Sequence, residues 1–289
     1  MIKTSLFADQ EREAKLNQLG DALQVMEQHV DFAALAAEVD LAAPRPSRER
    51  GGRPPFPTEL MVRVLLIQQL FNLSDEQMEF QLLDRLSFQR FVGLRASSQI
   101  PDWTTIWTFK ERLIQAGASE SVFDAVNRQL ARHGYIARGG QMIDASIVEA
   151  PRQSLSKEEK AIVREGAMPA DWTPAKRRQK DTDARWTKKH GQSYFGYKVS
   201  ANAHKRYKLV RKIKVSTASE HDTTHFEDVL DAAKTRARIE HVFKGLAQMG
   251  GKKLRSIGLA RARLHLNWKV AGYNLQRLVY LKEAGVEAF

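Results

Sequence analysis

The chain has 289 residues, 43% hydrophobic and 28% charged, enough at roughly 150 residues per domain for two domains that each bury a core. No apolar run approaches the roughly 18 residues of a membrane span, the first residues lack a secretory pattern, and the absence of cysteine excludes disulfides and thiolate metal sites. The expectation is a soluble, cytoplasmic protein, and 46 Lys plus Arg against 34 Asp plus Glu, a net +12 with pI near 9.9, points to nucleic acid or another anionic partner.

Residues 1–42 open the chain with an acidic stretch. The text from Asp9 to Val39 is rich in Ala, Leu and Glu without proline, and predicts one or two helices for packing or self-association. Residues 43–57 (APRPSRERGGRPPFP) gather five prolines and four arginines, which suits a plain linker or an arginine arm for a minor groove. Residues 58–138 read as helical. Leu60, Val64, Ile67 and Phe71 share one face after a Thr58 N-cap, and Ser74 with Gln77 forms a capping box that opens a helix to about Leu86. The helix from Asp102 turns Ile106, Phe109 and Leu113 inward; both an ordinary amphipathic helix and the reading helix of a helix-turn-helix-like cluster fit it. A further helix spans Ser119–His133.

The period changes at residue 139, and 139–289 reads as a mixed α/β segment. Residues 141–150 (QMIDASIVEA) predict a buried strand. Residues 151–192 show no clear periodicity. Strands are predicted at Tyr194–His204 and Leu209–Ser219, joined by a turn at Lys205–Arg206, with Lys208, Val210, Lys212 and Lys214 on one face. Helices are predicted at Thr223–Asp231, Lys234–Met249 and Arg261–Lys282.

Asp144, in the middle of an apolar strand, needs a partner, because an unpaired buried carboxylate costs several kcal/mol. A hydrogen-bonded structural role and a ligand role toward a hard cation such as Mg2+ both answer that need. Glu240 lies four residues from both Arg236 and Lys244, so a helical ion-pair ladder accounts for it as well as a ligand role does. His221 and His225 have zinc-ligand spacing but no clear third ligand. No phosphate-binding loop, nucleophile elbow or dinucleotide fingerprint is present.

Several blocks in order, GRPPFPTELMVRVLLIQQLFNLSDEQMEFQLLDRLSFQRFVGL, PDWTTIWTFKERL, QMIDASIVEAP, DTDARWTKKHGQSYFGYK and RARIEHVFKGLAQMGG, resemble the DDE transposases of bacterial insertion sequences, in the InsH-like insertion-sequence-five group. The resemblance implies a helical N-terminal DNA-binding region followed by an RNase H-like catalytic domain, an α+β or α/β fold. In that domain two Asp and a Glu hold two Mg2+ ions for in-line phosphoryl transfer on double-stranded DNA at the element's terminal inverted repeats. By this carry-over Asp144 is the first acid and Glu240 the last. Lys188, Lys189, Tyr194, Tyr197, Lys198, Lys208, Lys212, Lys214, Arg236 and Arg238 are expected near the DNA backbone, and a homo-oligomer fits the family.

One departure stands out. In the family a further strand ends in the second Asp, and a strand-helix-strand unit leads on to the Glu helix. Here Asp228-Val229-Leu230-Asp231 runs almost directly into Glu240, whereas such a unit takes roughly thirty residues. An internal deletion is inferred, which predicts failed catalysis and an uncovered edge on the Asp144 strand. Asp222, Asp228 and Asp231 are the acids at hand to replace the missing one. The expected function is a transposase with defective cutting; the alternative is a non-catalytic DNA-binding protein that competes with, or co-assembles with, an intact transposase.

Overall fold

The computed structural model describes residues 5–45, 51, 54–94, 99–136, 140–230 and 240–288. Its helical part comprises α1 (Ala8–Leu19), α2 (Ala22–His29), α3 (Phe32–Ala42), α4 (Thr58–Leu70), α5 (Asp75–Asp84), α6 (Leu86–Val92), α7 (Trp103–Gln115) and α8 (Ser121–Arg132). The mixed part comprises β1 (Gln141–Glu149), α9 (Lys157–Arg164), α10 (Pro174–Gln179), β2 (Arg185–Lys189), β3 (Gln192–His204), β4 (Val210–Thr217), α11 (Phe226–Val229), α12 (Glu240–Gln248) and α13 (Leu259–Glu283).

Local chemistry sets most of these boundaries. The opening segment forms three helices rather than one or two, because Gly20 adopts a positive φ of 84° and Asp21 and Asp31 accept from the Leu23 and Ala34 amides as N-caps. The Ser74–Gln77 capping box forms in both directions. Its helix stops at Asp84 and a separate α6 follows. Pro57, not Thr58, is the N-cap of α4; the Thr58 hydroxyl instead donates to Asp40 Oδ1 at 2.6 Å, tying α4 to the end of α3. Arg63 binds α4 to its neighbours, meeting Glu27 at 2.7 Å and Glu59 at 2.8 Å with its guanidinium over the Phe32 ring at 4.3 Å. Residues 46–50, 52 and 53 of the 43–57 arm lie outside the described residues.

All strand pairing is antiparallel, and β3 is the centre. It pairs with β1 along one side, while β2 and β4 follow one another along the other. Gly196 makes this possible, standing opposite Glu149 and Arg185 at once. A Cβ there would lie 2.2 Å from the Val148 carbonyl oxygen, so only glycine fits. A register shift between Asn202 and Ala203 puts Val210 opposite Ala203, on the apolar face with Ile213 and Val215 and not with the lysines as expected. Lys208 also departs from the expected basic face: it precedes β4 in a left-handed conformation, φ 60°. Residues 151–192, unpatterned in sequence, contain α9, α10 and β2.

The 25-residue α13 is the spine. It packs against α2, α4, α7, α8 and α12 as well as β3 and β4, and one apolar core runs from Leu23 to Leu281 through both parts of the chain. Its N-terminus is held by two carboxylates from the loop before β2. Asp181, 1% exposed, accepts from the Gly258 amide at 3.0 Å, from the Asp183 and Ala184 amides at 3.0 and 2.9 Å, and from the Tyr197 hydroxyl at 2.7 Å. Asp183 accepts from the Leu259 amide at 2.8 Å. A carboxylate at a helix N-terminus meets unpaired N–H groups and the positive end of the dipole, which is how a buried negative charge is tolerated.

Farther along α13, Lys269 is fully buried with no carboxylate in ion-pair range among the described residues. Its ammonium donates to the Met249 carbonyl at 2.5 Å and to Asn72 Oδ1 at 3.3 Å. Burial, with the charge of Arg255 second, lowers its pKa to about 8. Asn72 adopts a left-handed φ of 53°, and Gly250 packs so tightly on it that a Cβ would come within 2.2 Å. Lys269 thus joins the α4–α5 corner to the turn after α12.

Two outcomes follow from these buried charges. Asp181→Ala leaves Tyr197 and the start of α13 without their acceptor and is expected to lower unfolding free energy by about 3 kcal/mol in urea melts, against about 1 kcal/mol for Tyr197→Phe. For Lys269 the unfolded chain keeps the proton up to the ordinary 10.5 while the folded one releases it near 8. The unfolded state therefore binds more protons in that window, and stability rises with pH from about 8 to 10.5. Lys269→Met is expected to be more stable than the parent at pH 7 and to lose that rise, as read by melts at stepped pH.

Candidate functional site: an acidic strand position and a basic sheet

Alternation along β1 puts Met142, Asp144, Ser146 and Val148 on one face. With Val199 of β3, this face meets Phe243 and Leu246 of α12 and Leu266, Lys269 and Val270 of α13. Asp144, opposite Ala201, is half-buried, and its Oδ1 accepts from the Ala145 amide at 2.8 Å. Two residues on, Ser146 accepts from the Lys252 ammonium, which also lies 5.7 Å from the Phe243 ring centre. Partial burial and the charge of Lys189 lower the Lys252 pKa, while the charge of Asp144 raises it. The charged group that accompanies Asp144 is therefore a cation. Glu240 is the exposed first residue of α12, the helix that seats Phe243 on this face.

The opposite face of the sheet carries Lys198, Ser200 and Asn202 of β3 and Lys212, Lys214 and Ser216 of β4. The segment after β4 folds across it. Lys198 meets Asp222 at 2.7 Å and the Glu220 carbonyl at 2.5 Å; Lys214 meets Asp228 at 3.4 Å; Lys212 donates to the Leu230 carbonyl at 3.1 Å; Asn202 donates to the Val229 carbonyl at 2.7 Å. His225 bridges Glu220 and Asp228, and the hydrogen bond to Glu220, followed by that to Asp228, raises its pKa. His221 bonds Thr223 instead, so the two histidines do not converge on a metal. The predicted phosphate-binding lysines of this face, Lys198, Lys212 and Lys214, are thus met by acids and carbonyls of their own chain.

The other predicted contacts are scattered. Tyr197 is buried against Asp181, and burial followed by the charge of Asp181 raises its pKa, so its hydroxyl faces the interior rather than DNA. Tyr194 donates to Gln192 at 2.7 Å. Lys188 and Lys189 are exposed at the tip of the β2–β3 hairpin, whose turn residues His190 and Gly191 both have positive φ, 49° and 80°. Arg236, Arg238 and Asp231 lie outside the described residues. Lys252 went unnoticed in the sequence; Ser146, two positions from Asp144 in the strand pattern, was the available signal for the face it meets.

Residues 10–112 match the family described as Transposase domain (DUF772), and residues 139–235 match the Transposase DDE domain. The chain carries both domains in this order and belongs to the DDE transposases of insertion sequences. No solved structure matches it closely enough to be counted. The second match stops five residues before Glu240. DDE domains generally work on DNA with divalent metal ions. The residues described here do not fit such a centre: among them no three Asp, Glu or His side chains come together as a metal would require, and Lys252 brings positive charge to the Asp144 face. No described helix is long and apolar enough to cross a membrane.

Because Asp222 and Asp228 neutralise the basic face, the double substitution Asp222→Asn with Asp228→Asn is expected to tighten duplex DNA binding several-fold at low salt and to steepen the salt dependence by up to two phosphate contacts. Fluorescence anisotropy across a salt series reads both.

Proposed function

We propose that this protein is a DNA-binding derivative of an insertion-sequence transposase whose strand-cutting centre is incomplete. The observation that carries the reading is the company of Asp144: a lysine-bonded serine two residues along its strand, and no converging set of acids among the described residues. Without a second acid the charge that develops on a transferring phosphoryl group lacks its metal counter-charge. The short join supports an internal deletion, since nine residues separate Leu230 from Glu240 and a strand-helix-strand unit needs roughly thirty. On the side of β1 away from β3, the described partner is a single parallel bridge, in which Glu149 bonds Lys252 and Leu254 at 2.8 Å. We read the β1–β3–β4 sheet as the remainder of an RNase H-like domain, with Asp144 and Glu240 as its surviving acids.

In this reading the basic chain holds duplex DNA at element ends first through Lys188 and Lys189, with Arg236 and Arg238 contributing next to Glu240 and the lysines of β3 and β4 adding to it only where the segment after β4 gives them up. It acts in the bacterial cytoplasm by competing with, or joining, an intact transposase. The test is nicking of a supercoiled plasmid carrying the element ends, by purified protein with Mg2+ or Mn2+, beside Asp144→Asn. Binding that falls steeply with salt and leaves the plasmid intact is the expected result. Cleavage abolished by Asp144→Asn would mean that another acid completes the centre.

A further inference from the structure

The β2–β3 hairpin carries, on the same sheet face as Asp144, an aromatic group that the apolar core leaves exposed. Trp186 is 53% exposed on β2, opposite Phe195, whose ring centre lies 5.4 Å away at an interplanar angle of 45°. Phe195 is buried, so it props the indole from below. The Arg152 guanidinium lies 5.8 Å from the indole centre. Lys188, two residues along β2, points to the same side as Trp186, and Lys189 follows at the hairpin tip. Arg152, Lys188 and Lys189 are exposed and make no ion pair among the described residues, whereas Lys198 and Lys214 are held by Asp222 and Asp228. The sequence from Ala184 to Ser219 contains no acid at all.

We propose that Trp186 is a stacking platform for an unpaired nucleotide base, with Arg152, Lys188 and Lys189 holding the adjoining phosphates. Resting on the DNA-binding reading above, the inference adds the form of DNA: a strand with at least one base out of the duplex stack. The chemistry separates the two forms. Phosphates alone are served by lysine and arginine and are equally present in a duplex. An exposed indole, with Arg152 near its ring and Lys188 and Lys189 making no ion pair, gains a further stacking partner when a base offers its face, and such stacking contributes about 1–3 kcal/mol per base. The two-residue turn at His190 and Gly191 and the support from Phe195 place the ring before DNA arrives, which reduces the ordering cost of binding.

The test compares a labelled 15-nucleotide oligo-dT with a blunt duplex of the same length, each titrated by anisotropy with the full chain, Trp186→Ala and Trp186→Tyr, thermal melts confirming the fold. Trp186→Ala is expected to weaken oligo-dT binding about tenfold while duplex affinity changes less than twofold, and Trp186→Tyr to stay within about threefold of the parent on both. Equal loss on both DNA forms, or no loss on either, overturns the stacking role while leaving DNA binding in place. A parent chain that shows no salt-sensitive binding to either form overturns the DNA-binding reading itself, and the platform with it.

Discussion

A buried carboxylate, Asp181, has to be satisfied on all sides, and the mixed part of the molecule is arranged around that requirement. Its two oxygens accept from the Tyr197 hydroxyl of β3, from two amides of its own turn and from the amide of Gly258, the N-cap of α13. One charge thereby sets where β2 begins, how β3 approaches the loop and where the longest helix starts. Since α13 then runs against α2, α4, α7 and α8, the position of the helical part relative to the sheet is referred to the same point. The charge also explains why a tyrosine in a family motif is internal: it is a donor that the carboxylate needs.

The electrostatics of the surface follow from a second constraint. A sheet face with Lys198, Lys212 and Lys214 would repel itself if left alone, and the segment from Glu220 to Leu230 brings acids and carbonyls onto it. The net charge of +12 therefore overstates how much of the sheet is available to phosphate. What stays open is the hairpin tip and Arg152, beside an exposed indole. On the other face a lysine accompanies Asp144. Neither face, among the described residues, presents a converging set of acids.

Much of the architecture is legible in the residues. The Ser74 capping box, the apolar stripe of α13 and the inward faces of α7 and α8 follow from local spacing, and β1 from its β-branched run between the Gly139–Gly140 pair and Pro151. Asp144 stands out in the sequence because a carboxylate in an apolar strand is costly. Other features depend on distant partners. Neither Asp181 nor Asp183 announces that it will cap a helix more than seventy residues away, and Lys252 meets Ser146 only through the turn that follows α12. The bulge that moves Val210 to the apolar face arises from pairing with β3, which alternation within one strand does not contain. β2 escaped notice because Arg185, Thr187 and Lys189 alternate with Trp186 and Lys188, leaving no apolar face to detect, although the His190–Gly191 pair marks a hairpin turn.

The central claim is that Asp144 no longer belongs to a working cation site. Electron paramagnetic resonance of Mn2+ titrated into the purified chain tests it without any need for cleavage. The account predicts only weak, non-saturating binding that is the same for Asp144→Asn as for the parent. Saturable, stoichiometric binding in the parent that disappears in Asp144→Asn would contradict it, because that carboxylate would then be holding a metal in spite of Lys252.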